Sequence, residues 1–199
     1  MKTLLVSRRL AVLMAAVVAL GACSPGKPSF RSIDITGADY ARDFKWADHN
    51  GQLRSIADFR GKVVVIFFGF VQCPDVCPTA MAELAEVKGL LGADADKLQG
   101  LFVTLDPERD TPQVLKAYMA NFDPAFLALR PSAEQLPELA KHFRIFFKKN
   151  EGKTAGSYTL DHTAGSYVFD LQGRVRLYTR PGMGAPALAE DVKVLLKGA

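Results

Sequence analysis

An α/β fold around a central mixed sheet is predicted by three observations. Residues 62–68 are an unbroken β-branched and aromatic run, helical patterns alternate with short apolar strands up to residue 142, and the last third changes to paired β-like segments. Alternating strand and helix imply βαβ units with parallel pairing, whereas the C-terminal change of character implies antiparallel hairpins. At 199 residues and 49% hydrophobic, the chain can bury one core of ordinary size.

The N-terminus reads as an export signal. Met1-Lys2 with Arg8 and Arg9 forms a charged region, residues 10–20 an apolar one, and Leu20-Gly21-Ala22-Cys23 a small-residue cleavage site. The apolar run is 11 residues long, whereas a spanning helix needs about 20. Residues 1–22 are therefore expected to be cleaved. A cysteine directly after the small pair resembles the lipobox of bacterial lipoproteins. That resemblance implies acylation of Cys23 and stable anchoring through more than one chain. Ordinary secretion would instead leave an odd cysteine in an oxidising compartment. Residues 23–34, including Ser24-Pro25-Gly26-Lys27-Pro28-Ser29, read as a flexible tether, and residues 35–199 as the folded domain. The expected location is the periplasmic side of a bacterial cell envelope, lipid-anchored to a membrane.

Within the domain, Asp48-His49-Asn50-Gly51 signals a hairpin turn in which Asn-Gly supplies the positive φ, and His49 reads as a solvated turn residue. The run at 62–68 is too apolar for a half-exposed strand and is expected at the sheet centre. A helix is expected from 78 to 91, then a strand over 101–105, a helix over 112–121, a strand over 126–129 and a helix over 133–142. His142 falls at a helix C-terminus, where a cation is favoured. β-like segments follow at 143–148, 158–160, 166–169 and 175–178, the last two joined by Asp170-Leu171-Gln172-Gly173. A helix over 187–197 closes the chain.

Charge excludes one class of function. Removing Lys2, Arg8 and Arg9 from 25 basic residues leaves 22 against 21 acidic ones, and no basic cluster interleaved with aromatics appears. No nucleic-acid partner is expected.

The chemistry concentrates in Phe67-Phe68-Gly69-Phe70-Val71-Gln72-Cys73-Pro74-Asp75-Val76-Cys77-Pro78. Two thiols lie where a buried strand gives way to a helix, the end of an open α/β sheet at which ligands bind. Their spacing brings Cys73 and Cys77 close together, and helix N-terminal N–H groups favour the thiolate, as nucleophile or metal ligand. A structural disulfide is the bland alternative in an exported protein, but closing so short a loop removes little chain entropy.

These residues resemble the SCO/SenC family over residues 35 to 197. Gly69-Phe70 and Cys73-Pro74-Asp75-Val76-Cys77-Pro78 match its metal motif, and Leu105-Asp106-Pro107-Glu108-Arg109-Asp110-Thr111-Pro112 matches its second motif. Asp161-His162-Thr163 with Asp170 through Gly173 matches its histidine motif, and Asn50-Gly51 with Asp58 through Lys62 matches a hairpin shared with peroxiredoxins.

The resemblance implies a thioredoxin-like fold: a central mixed sheet flanked by helices, an N-terminal hairpin and an inserted C-terminal β-hairpin. It further implies one copper ion, Cu(I) or Cu(II), held by Cys73, Cys77 and His162, two soft thiolates and an imidazole that suit copper. Asp161 is placed to orient the imidazole. Asp75, Asp106, Arg109 and Asp110 are candidates for partner docking or for tuning the thiols, although Asp110-Thr111-Pro112 reads equally well as a helix cap. Met183 is a weaker candidate for a soft ligand.

The implied function is a copper chaperone serving an extracytoplasmic acceptor such as a cytochrome c oxidase subunit, in exchange with other copper chaperones or thiol reductants. The alternative is a thiol–disulfide reductase using Cys73 and Cys77 as its redox-active pair. Two departures weaken it: three residues separate the cysteines where thioredoxins have two, and Ala164 stands where that fold usually has a cis-proline. A peroxidase would need a threonine before Cys73 that the sequence lacks, and a structural zinc site would need a fourth ligand.

Overall fold

The computed structural model describes residues 28–154 and 156–198; the expected export signal and Cys23 lie outside them. Ten strands are present: β1 (Ile33–Asp34), β2 (Trp46–Asp48), β3 (Leu53–Arg54), β4 (Val63–Gly69), β5 (Leu98–Thr104), β6 (Leu127–Arg130), β7 (Phe147–Glu151), β8 (Tyr158–His162), β9 (Ser166–Phe169) and β10 (Val175–Thr179). Four helices are α1 (Val76–Leu90), α2 (Pro112–Met119), α3 (Leu136–His142) and α4 (Ala185–Leu196).

The main sheet runs β1-β10-β9-β4-β5-β6-β2-β3, and β7 pairs with β8 in a separate two-stranded sheet. β4, β5 and β6 are mutually parallel, while β9, β10 and β2 pair antiparallel. This is the mixed sheet expected of a thioredoxin-like fold, with β2–β3 as its N-terminal hairpin and β7–β8 as the insertion. Every residue of β4 and β5 is buried, so the continuous apolar run does mark the centre of the sheet. α1 and α4 pack on one another and on β4. Phe68, Phe143 and Tyr167 form an aromatic cluster that Trp46 joins through Phe143.

Several expectations shift. α1 begins two residues before the expected start: Asp75 takes the N-cap position and Pro78 falls inside the first turn, which tolerates proline because no N–H is needed there. Of the expected strand at 143–148, only Phe147 and Lys148 are in one; the residues before them close the end of α3. Ile145 N donates to the Ala140 carbonyl at 3.0 Å and Arg144 N to that of Lys141 at 3.3 Å, with Arg144 at φ 49°. This left-handed helix stop buries Phe143 and Ile145, so their apolar character reflects core packing, and β7 starts only at Phe147. His49 is not merely solvated: its backbone N donates to the Ala128 carbonyl at 2.9 Å and its Nδ1 accepts from Ala128 N at 3.1 Å, extending the β2–β6 contact. In the β2–β3 turn only Gly51 has positive φ. Asp48 completes the turn, its Oδ1 accepting from Asn50 N and Gln52 N at 2.8 and 3.0 Å.

Asp170 does the same for the β9–β10 turn, and adds charge. Only 2% exposed, it accepts from the backbone of Gln172 and Arg174 and from the side chains of Arg174 and the buried Arg176. Burial pushes its carboxyl up, but the hydrogen bonds from both arginines and the turn outweigh this, holding it below the usual range. A depressed folded value means stability that is present above the unfolded value of about 3.9 and lost as pH falls through the folded one. Asp170→Asn is expected to cost about 2–4 kcal/mol in urea unfolding at neutral pH, with a smaller difference from wild type below about pH 4. Equal midpoints at neutral pH would refute this account.

Candidate metal centre

The centre lies at the C-terminal end of β4, where the chain leaves the sheet. Cys73 N donates to the Phe70 carbonyl at 3.2 Å, closing a tight turn that holds Cys73 ahead of α1, half-buried. Cys77 is the second residue of α1 and fully buried. Its sulfur occupies space made by a glycine: a Cβ on Gly69 would stand 2.7 Å from Cys77 Sγ, 2.9 Å from the Phe67 ring and 3.1 Å from the Phe102 ring.

His162 arrives from a different part of the chain, as the last residue of β8. Its Nε2 lies 3.5 Å from Cys77 Sγ and its Nδ1 3.0 Å from the Thr163 carbonyl oxygen. A carbonyl only accepts, so Nδ1 carries the proton and Nε2 presents its lone pair to the sulfurs. The edges and faces of Phe67 and Phe70 box the imidazole at centroid distances of 6.1 and 5.9 Å. The two sulfurs and one imidazole nitrogen all lie within 4.8 Å of one another, and both cysteines are free thiols.

Electrostatics favour neutral groups here. Burial lowers the His162 imidazole below its ordinary value, against the opposing pull of the Thr163 carbonyl and Asp161. Burial, reinforced by the neighbouring Cys73, pushes the Cys77 thiol well above its ordinary value. This reverses the expectation that the helix N-terminus would favour its thiolate: the sulfur is fully buried, and loss of water is the largest influence on its proton. A cation restores the balance, since metal binding replaces the thiol proton with positive charge.

The other predicted residues divide. Asp161 is exposed on β8, and the contact that orients the ring comes from the Thr163 carbonyl instead. Asp75 is exposed, with its Oδ1 3.5 Å from Thr79 Oγ1. Met183 Sδ lies 3.4 Å from Ser32 Oγ.

Asp106, Arg109 and Asp110 do gather beside the thiols, on the loop after β5. Asp110 is buried and accepts from Thr104 Oγ1 at 2.5 Å and from Val71 N at 3.1 Å. Burial raises its carboxyl, and it braces the cysteine turn, while Thr111 caps α2 by accepting from Val114 N. Asp106 accepts from Arg109 Nε and from Tyr158 Oη. Arg109 Nη1 donates to Gln72 Oε1 at 3.0 Å and to the Tyr158 carbonyl at 2.9 Å. Gln72, Tyr158 and Thr163 thus complete the surroundings of the centre. Nothing in sequence spacing singles them out, because their roles depend on contacts across the fold.

Comparison with known proteins places this geometry. The SCO1/SenC family model matches residues 34–197. The protein "SCO2 homolog, mitochondrial" of Bos taurus is 34% identical over 153 residues, covering 76% of this chain and 58% of the bovine protein. Among solved structures, Bradyrhizobium japonicum ScoI with copper bound superposes with a TM-score of 0.70 at 37% identity, covering 77% of this chain and 97% of that one. Apo Sco1 from Thermus thermophilus gives a TM-score of 0.74 at 33% identity, covering 85% and 99%.

Proposed function

We propose, from the premise that this chain belongs to the SCO1/SenC family, that it binds one copper ion through Cys73, Cys77 and His162 and delivers it to an extracytoplasmic acceptor. The observation that carries this reading is the convergence of two thiol sulfurs and one imidazole nitrogen within 4.8 Å. That donor set fits copper: thiolates suit Cu(I), and the added imidazole accommodates Cu(II). The family resemblance and the copper-bound ScoI relative support the same ion, and the family resemblance makes the binuclear copper centre of cytochrome c oxidase the proposed destination.

Delivery requires that ligands leave one at a time. Cys73 is half-buried on the outer side of the centre, whereas Cys77 is sealed beneath it. An incoming acceptor thiolate therefore meets Cys73 first, and copper passes by stepwise ligand exchange with Cys77 as the last donor. Titration of the reduced protein with Cu(I) against a competing chelator tests the reading: tight one-to-one binding is expected. Binding no tighter than that of a variant lacking both cysteines would overturn it.

The reductase alternative rests on the same free thiols. Cys73 would attack an acceptor disulfide and release one acceptor sulfur as a thiol; Cys77 would then displace the second, leaving an intramolecular disulfide here and a reduced acceptor. The three residues between the cysteines, where thioredoxins have two, and Ala164 in place of a cis-proline make copper delivery the preferred reading.

Anchoring belongs to the same proposal. Among the described residues no helix is long and apolar enough to cross a membrane. Acylated Cys23 would hold the domain at the membrane through the tether, with residues 1–22 removed. Cys23→Ala is expected to move the protein from the detergent phase to the aqueous phase on partition; unchanged partition would refute lipidation.

A further inference from the structure

The imidazole rides on a hairpin that stands outside the main sheet. β7–β8 shares no ladder with the main sheet. Apart from His162, which meets Cys77, Phe67 and Phe70, and the apolar packing of Phe147 and Leu160 on the core, the polar and cation–π ties from this hairpin to the domain converge, among the described residues, on positions 106–109. Tyr158 Oη donates to Asp106 Oδ1 at 2.7 Å, and Lys149 Nζ approaches Glu108 at 3.5 Å. The Cζ of Arg109 lies over the Tyr158 ring, 3.6 Å from its centroid, while Lys149 Nζ also lies over that ring, at 3.7 Å.

One guanidinium therefore touches both ligand-bearing segments. Arg109 Nη1 reaches Gln72, the neighbour of Cys73, and the backbone of Tyr158, on the strand that ends in His162. Its Nε is held by Asp106, and its Nη2 is buried without a hydrogen-bond partner. Burying an unpaired N–H is costly, and stacking on an aromatic face offsets part of that cost only for a planar cation.

We propose that Arg109 is a positioning residue for the metal centre, latching the β7–β8 hairpin to the cysteine turn so that His162 Nε2 stays at the two sulfurs. The inference rests on the copper reading above for its effect on metal, though not for the latch itself. Two thiolates suffice for Cu(I), whereas Cu(II) needs the imidazole; the latch thus governs how well the oxidised ion is held. Lysine would keep the charge but lose the fork that bridges Gln72, Asp106 and Tyr158.

The test compares wild type, Arg109→Ala, Arg109→Lys and His162→Ala in the full chain. In the metal-free protein, amides of residues 147–162 are expected to exchange at least about tenfold faster in both Arg109 variants, with β4 and β5 unchanged. The Cu(II) absorption and paramagnetic resonance signatures should shift toward those of His162→Ala. Cu(II) affinity should fall at least about tenfold, while Cu(I) affinity stays within about threefold. Unchanged hairpin exchange in Arg109→Ala overturns the latch, as does full wild-type behaviour of Arg109→Lys. Faster exchange throughout β4 and β5 with equal loss of both ions would show general destabilisation and overturns it too. Wild-type protein that binds no copper, with a hairpin that still loosens in Arg109→Ala, would refute the copper reading and leave the latch standing.

Discussion

Replacing Cys73 and Cys77 together with serine is expected to weaken Cu(I) binding by several decades, whereas His162→Ala should spare much of it and weaken Cu(II) binding with an altered spectrum. The asymmetry follows from ligand chemistry. A hydroxyl is a hard, poorly ionised donor and does not substitute for a thiolate on a soft ion, while Cu(I) is satisfied by two sulfurs. The free energy of a four-ligand structural metal site, about 10–16 kcal/mol, shares out at roughly 3 kcal/mol per ligand, or about two decades of Cu(I) affinity for each thiolate lost. The double variant should therefore weaken Cu(I) by on the order of four decades. Because Cys77 is sealed in the core and Cys73 half-exposed, the two single variants should also differ: Cys77→Ser places a hydroxyl in a fully buried position and costs stability as well as affinity. Competition titrations in both oxidation states, with urea unfolding of each apo variant, check all of this. Equal Cu(I) losses in the cysteine pair variant and in His162→Ala would contradict the assigned roles.

The second large effect comes from a residue that touches no metal. Gly69→Ala is expected to destabilise the apo protein by about 1–3 kcal/mol, as overpacking in a dense core does, and to weaken Cu(I) binding by at least about tenfold. The new Cβ would sit 2.7 Å from Cys77 Sγ and under 3 Å from a carbon of the Phe67 ring. Neither neighbour has room to retreat: Cys77 is on the first turn of α1 and Phe67 is buried in β4. The sulfur that moves is a proposed ligand, so fold and site are damaged by the same contact. Wild-type unfolding and wild-type Cu(I) affinity in Gly69→Ala would show that the glycine is incidental.

Much of this was legible in the residues. The β4 run marked the sheet centre because seven buried positions on a strand covered on both faces leave no polar residue to break the pattern. The cysteine pair announced itself because both thiols lie in one local turn, where spacing along the chain fixes spacing in space. Regions governed by distant contacts were read less well. The apolar stretch after His142 looked like a strand, and only the packing of Phe143 against Phe68 and Tyr167 shows it to be a helix stop turned into the core. His49 looked solvated until Ala128 was seen to bond both its backbone and its ring. Asp161 was adjacent to His162 in sequence, yet β-strand alternation sends neighbouring side chains to opposite faces, which leaves the Thr163 carbonyl to orient the ring.

The sequence by itself determined the element order, the mixed character of the sheet, the thiol pair at the end of its central strand and, through family resemblance, the proposed third ligand. These rest on local periodicity and motif spacing, which survive in one dimension. The tertiary structure decided the proton affinity of Cys77, the tautomer of His162, the need for glycine at position 69 and the bridging role of Arg109. The tautomer follows from the adjacent Thr163 carbonyl, but the others depend also on groups distant in sequence, as Cys77 lies beside Gly69 and His162, and Arg109 beside Gln72 and Tyr158, brought within contact distance only when the chain closes its core and water is excluded.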